Sequence, residues 1–177
     1  RYWEQYHDAV RWAADVQARL PKRDTDVRVI RGVAPRSVVE NAEDAQRVIA
    51  SLRGKPFAFD FETDNLDPRK VTRYGLALAD AEHAWWLPDT IAPQVIERFR
   101  RLLVESKDAR ASGCKYDLSV LACIDKSFEP TDAPPWDTQV AHWVAYGGSY
   151  TNDLKSITRK LLNRDVMTFA EAGGVEH

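Results

Sequence analysis

The sequence predicts an α/β fold: a mixed sheet whose first strands are antiparallel, with helices on both of its faces. Three observations predict it. Three strand candidates follow one another before residue 90 with only short polar segments between them. Helical periodicity dominates the second half, and one more short apolar run, Ala109 to Gly113, sits between two of those helices. At 177 residues, 44% hydrophobic and 29% charged, the chain is long enough for one well-cored domain with an appendage.

Each element has a local reason. Tyr2, Tyr6, Val10, Ala13 and Leu20 fall near helical spacing, so residues 1–20 read as an amphipathic helix ended by Pro21. A charged connector follows, with Asp26 to Ile30 as a short strand inside it. From Ser37, the spacing of Val38, Val39, Ala42, Ala45, Val48, Ile49 and Leu52 predicts one or two short helices closing at Gly54. Phe57 to Glu62, Val71 to Ala79 and Ala84 to Leu87 are the strands of a meander. A helix is expected over Ala92 to Val104, then the strand Ala109 to Gly113 and a helix from Tyr116 to Ile124. Pro130, Pro134 and Pro135 mark a loop, Asp137 caps a helix running to about Tyr146, and Gly147-Gly148 breaks it. Asn152 or Asp153 caps the last helix, through Leu162.

Several classes are set aside. No apolar run approaches the roughly 18 to 20 residues that span a bilayer, and the N-terminus is unlike a secretory signal, so the chain reads as soluble and cytoplasmic, with no membrane partner. A formal charge of -2 argues against a strong nonspecific duplex binder. Cys114 and Cys123 lack zinc-ligand spacing and read as reduced packing residues. Leu52-Arg53-Gly54-Lys55-Pro56 lacks the upstream glycine and the hydroxyl that a phosphate-binding loop requires.

The chemistry concentrates in Phe57-Ala58-Phe59-Asp60-Phe61-Glu62-Thr63-Asp64-Asn65-Leu66-Asp67. Side chains alternate across a strand, so Phe57, Phe59 and Phe61 share one face while Ala58, Asp60 and Glu62 share the other. Flanked by phenylalanines, the strand reads as central and largely buried, and two carboxylates about 6 to 7 Å apart on it call for a divalent cation. Further on, Ser112-Gly113-Cys114-Lys115-Tyr116-Asp117-Leu118 places an aspartate at a helix start, where it interacts well with the N-terminal amides. Pro134-Pro135-Trp136-Asp137-Thr138 and Thr151-Asn152-Asp153-Leu154-Lys155 open two more helices.

This series resembles the 3'-5' proofreading exonuclease domain of family A DNA polymerases, a DnaQ-like domain of the DEDD superfamily and its tyrosine subtype, over roughly residues 28–172. The resemblance implies an RNase H-like fold and two Mg2+ or Mn2+ ions held by Asp60, Glu62 and Asp117, with Asp60 bridging both. It implies that Thr63, Leu66 and Tyr116 contact the terminal nucleotide, Leu66 as an apolar wedge. The implied reaction is hydrolysis of the last phosphodiester at the 3' end of single-stranded DNA, with a polymerase domain on the same polypeptide as partner. The alternatives are an inactive exonuclease-like scaffold and a free-standing RNA exonuclease of the same superfamily.

Residues 1–27 then form an N-terminal helix and linker, and 28–177 the exonuclease domain, truncated before its third motif. That motif, a Tyr three residues ahead of a fourth acidic ligand, is expected beyond Met167 to Ala172; Asp165 and Glu171 lack its spacing. Where the family usually has asparagine, this chain has Gly113, which removes one polar contact to substrate. Asp137 matches a structural, helix-heading aspartate. His142 lies opposite the Val140, Trp143, Val144 cluster or at its border and reads as a polar core or surface residue, and the six tryptophans read mostly as core, although an exposed one could stack on a base. Arg69, Lys70, Arg73, Arg159, Lys160 and Arg164 are candidates to flank a strand-binding channel.

Overall fold

The structure is a computed structural model, and it describes residues 35–133, 135–147 and 153–162. The expected helix over residues 1–20, the strand at Asp26 to Ile30, the Asn152 cap and the Met167 to Ala172 region lie outside the described residues. Six strands form one sheet: β1 (Arg36–Val38), β2 (Phe57–Thr63), β3 (Tyr74–Ala79), β4 (Ala84–Leu87), β5 (Ala109–Ala111) and β6 (Trp136–Asp137). The order is β1-β4-β3-β2-β5-β6, so the acid-bearing strand is central. The β2-β3-β4 meander is antiparallel, and β1, β5 and β6 join in parallel. The helices are α1 (Ala42–Ser51), α2 (Ala92–Glu105), α3 (Lys115–Ile124), α4 (Thr138–Tyr146) and α5 (Leu154–Leu162).

Register decides which residues share a face. Phe59 stands opposite Leu78 and Phe61 opposite Leu76, with Trp85 and Leu87 continuing that face on β4. α2 covers it: Phe99 packs edge-on against Phe59 and Phe61, with ring centroids 5.4 and 5.8 Å away. Phe57, Leu76, Leu78, Leu87, Phe99 and Leu102 are among the fully buried side chains of this core. Burying each such side chain contributes about 1.5 to 3 kcal/mol relative to leaving it exposed.

The opposite face carries Asp60, Glu62 and Trp86 on a floor of small residues. Asp60 stands opposite Ala77 and Glu62 opposite Gly75, with Ala58, Ala79 and Ala84 completing the floor. It is not the buried face the sequence implied. Ala58, Asp60 and Glu62 are all exposed, because the described helices that pack on the phenylalanines leave this side open.

Gly75 is there to make room. A Cβ at this position would lie 2.1 Å from Cη2 and 2.4 Å from Cζ2 of Trp86, so the indole rests directly against the strand backbone. Gly75→Ala is therefore expected to displace the ring and cost about 1 to 3 kcal/mol, read as a lowered urea midpoint with unchanged slope.

Elsewhere the structure redraws the expected elements. Arg36–Val38 is an edge strand, and helix α1 starts only after Asn41, whose side chain accepts from the Asp44 amide. Gly54 follows α1 with φ +71°, the left-handed conformation expected of a helix-ending glycine. β3 begins at Tyr74 rather than Val71, since residues 68–70 form a 3-10 turn. The 139–147 and 153–162 segments belong to a second compact unit, apart from 33–138. Within it Asp153 caps α5 by accepting from the Ser156 amide, and Lys160 lies 5.0 Å over the Tyr146 ring. His142 is buried and packs on Tyr146, the polar core position of the two expected for it, while Val140 and Trp143 are exposed. Of the described tryptophans Trp85 is half-buried and packs against the core, Trp86 is half-buried on the other face, and Trp136 and Trp143 are exposed. Among the described residues no helix is long and apolar enough to cross a membrane.

Candidate active site

Asp117 reaches the acid pair through a gap in the sheet. β5 pairs β2 only at Phe57 and Ala58, and the Phe57 amide donates across to Asp108. Four residues on, the Phe61 amide points to the same side, where β5 has already ended. Asp117, in the first turn of α3, fills that place: its Oδ1 accepts from the Phe61 N–H at 2.9 Å. The bond ties the third acid to the residue between Asp60 and Glu62. Asp117 is the buried carboxylate of the three, only 3% exposed.

The electrostatics are unfavourable for anions alone. Asp60 reaches solvent, yet dehydration first, then the Asp117 and Glu62 charges, push its carboxyl up to about 6. Asp117 is also raised to about 6, by burial above all; the amides of Phe61 and of Asp117 itself pull the other way, and the charges of Asp137 and Glu62 add to the rise. Among the described residues no Lys, Arg or His pairs with Asp60, Glu62 or Asp117. Hard carboxylate oxygens with uncompensated charge fit Mg2+ or Mn2+. They do not form a ready-made cage, since no group of three ligating side chains among the described residues is gathered closely enough to hold an ion.

The other expected site residues act on one another. The Tyr116 hydroxyl donates to the Asn65 carbonyl at 2.6 Å, and it also meets Thr63 Oγ1. Thr63 Oγ1 lies 3.1 Å from the same carbonyl. Both side chains therefore anchor the loop after β2, a role the sequence did not reveal. Asp64 closes its neck by accepting from the Thr72 amide and hydroxyl, and Asp67 accepts from the Arg69 amide. This hydrogen-bonded loop presents Leu66, which is 92% exposed.

Asp137 accepts backbone amides, as expected of a structural aspartate, but those of Gly113 and Cys114 ahead of α3, at 3.0 and 2.8 Å. Burial, then its hydrogen bond to Asp137, pushes the Cys114 thiol up to about 12, which suits packing and not nucleophilic chemistry. Gly113 has φ +68°, a left-handed conformation in which asparagine is the best-tolerated alternative, so the departure from the family residue keeps the same backbone. The basic groups are less available than expected. Arg69 is held by both oxygens of Asp67, Lys70 lies 4.0 Å from Asp67, and Arg73 pairs with Asp89. Arg164 lies outside the described residues.

The model of a family described as 3'-5' exonuclease matches residues 37–172. No curated protein matches the chain. Among solved structures, NrnC of Brucella melitensis aligns with a TM-score of 0.52 at 20% identity, covering 75% of this chain and 61% of its own. The catalytic core of RRP6 from Trypanosoma brucei aligns at 0.63 and 12% identity, covering 76% and 36%. The Aedes aegypti Nibbler EXO domain aligns at 0.56 and 13%, covering 73% and 69%. The chain thus spans about three fifths of the NrnC chain and about a third of the RRP6 one. These likenesses establish the fold, RNase H-like, with a six-stranded mixed sheet and five helices among the described residues. With the family model spanning most of its length, the chain belongs to the 3'-5' exonuclease family.

Proposed function

We propose that this chain is a metal-dependent 3'-5' exonuclease that trims short single-stranded RNA as a free-standing nuclease, with residues 28–177 as its exonuclease domain. The observation that carries it is the Asp117 to Phe61 hydrogen bond, which fixes a buried acid beside Asp60 and Glu62 with no protein cation among the described residues to neutralise them. The free-standing setting is better supported than a proofreading domain acting on single-stranded DNA beside a polymerase. NrnC, which shares the fold, has been solved with bound Mg2+ and bound to pGG.

Asp60, Glu62 and Asp117 would hold the ions. When bound, two divalent cations supply a low-pKa water and stabilise the departing 3' oxygen. The remaining work belongs to side chains of the protein. Asp117, locked by Phe61, keeps α3 in register with β2. Thr63 and Tyr116 hold the Asn65 carbonyl, so that Leu66 stands out rigidly to pack beside the last base and favour an end over an internal bond.

The full chain incubated with 5'-labelled single-stranded RNA and DNA of equal sequence, with Mg2+ or Mn2+, is expected to give a ladder shortened from the 3' end, faster on RNA. Faster trimming of DNA would restore the proofreading reading, and no trimming with no metal binding would favour the scaffold.

A further inference from the structure

On β4, the side chains of Trp85 and Trp86 point to opposite faces of the sheet. Trp85 packs against the core, whereas Trp86 lies on the small-residue face with Asp60 and Glu62. Its half-buried indole stands among Ala77, Ala84 and Gly75. Its position is enforced: the ring atoms Cη2, Cζ2 and Cζ3 sit where a Gly75 Cβ would come within 2.1, 2.4 and 3.0 Å. Gly75 itself stands directly opposite Glu62.

The indole lines a cavity of about 290 Å3 whose other walls include Glu62, Thr63, Arg73, Pro88 and Asp89. The volume is at the small end of ligand sites, near about 300 Å3, which suits one flat group and not an extended ligand. The lining includes the indole, a proline, a guanidinium with 75% of its side chain exposed, and three acids, Asp64, Asp89 and the candidate metal-binding Glu62. An indole offers a stacking face to any base, without preference among them.

We propose that Trp86 is the stacking platform for the base of the substrate's terminal nucleotide, seated in this cavity beside Glu62. The assignment rests on the exonuclease reading above. Arg73 borders the same space but is held by Asp89 through Nε at 2.6 Å, so the indole and not the guanidinium carries the contact. Gly75 is the feature that fixes the platform, and Thr63 and Glu62 form the wall toward the reacting end.

The test uses the full chain with Mg2+ and short single-stranded oligonucleotides that carry a normal base or an abasic residue at the terminal or the penultimate position. Trp86→Ala is expected to raise KM on the normal substrate about tenfold, more than it lowers kcat. A terminal abasic residue should raise the wild-type KM by a similar factor and leave the Trp86→Ala value almost unchanged, while Trp86→Phe stays near wild type. Independent, multiplying effects would overturn the proposal, as would coupling to the penultimate residue or a KM that does not move.

A second readout works without turnover. The fluorescence difference between wild type and Trp86→Phe, titrated with a nucleoside 5'-monophosphate and Mg2+, should quench. Quenching without degradation would sink the exonuclease reading and keep the stacking site; degradation without quenching or coupling would do the reverse.

Discussion

Asp60→Ala is expected to lower the degradation rate by more than about a thousandfold. Removing one charge-stabilising donor from an active site costs about 10^2- to 10^3-fold, and if Asp60 holds the ions as proposed, its loss would remove the activation of the nucleophile as well. The fold is not expected to suffer. Asp60 reaches solvent on the small-residue face, and its charge is opposed by Asp117 and Glu62, so the variant should melt at or above the wild-type temperature. Asp60→Asn should be as inactive, because the amide keeps the shape and loses the charge. Chelation should silence the wild type reversibly, with Mg2+ or Mn2+ restoring it. Because Asp60 and Asp117 both titrate near 6, protons compete with the metal below that pH, and activity at fixed Mg2+ should fall as pH drops from 7 to 5. Wild-type rates in Asp60→Ala would remove this residue from the site.

The sequence made the meander legible because three runs of alternating side chains are separated by short polar turns. Ala84–Leu87 is observed with the expected bounds, and the strand at Phe57 extends one residue further. What it hid were features set by distant partners. β6 is two residues long and exists only by pairing with β5, and the apolar doublet at Val38 and Val39 looks as much like a helix start as an edge strand. Burial was overestimated for one reason: composition does not say which side of an element a neighbour covers. The acid face of β2 is open, and on α4 Trp143 is outside. The three acids were proposed from the sequence alone, but the way Asp117 joins the other two needed the structure. Its partner is the amide of Phe61, 56 residues earlier in the chain, and no local pattern encodes that bond. One signal was available and unused, since an isolated glycine within a strand, Gly75, marks a close approach of the kind Trp86 makes.

Asp117 separates structure from chemistry more sharply than Asp60, because it does both. Asp117→Asn retains an oxygen that can accept from the Phe61 amide, and removes a buried charge; Asp117→Ala removes the acceptor as well. Both should lose more than about 10^3-fold in activity, but their stabilities should part. The alanine variant leaves a buried N–H unsatisfied and is expected to cost about 1 to 3 kcal/mol. For the asparagine variant the sign follows from linkage. The folded-state pKa is raised from 3.8 to about 6, so the unfolded chain releases its proton first, and the wild type loses stability as pH rises from about 4 to about 6. That loss is complete above pH 6 and amounts to roughly 3 kcal/mol at about 1.4 kcal/mol per unit. Metal-free Asp117→Asn should therefore be more stable than wild type at pH 7.5, by up to that amount, and no more stable at pH 4. Saturating Mg2+ should narrow the gap at pH 7.5, because it stabilises only the protein that binds it. Urea titrations at the two pH values, with and without Mg2+, measure all of this; a wild type more stable than Asp117→Asn in metal-free buffer at pH 7.5 would show that the Asp117 charge is already compensated within the protein.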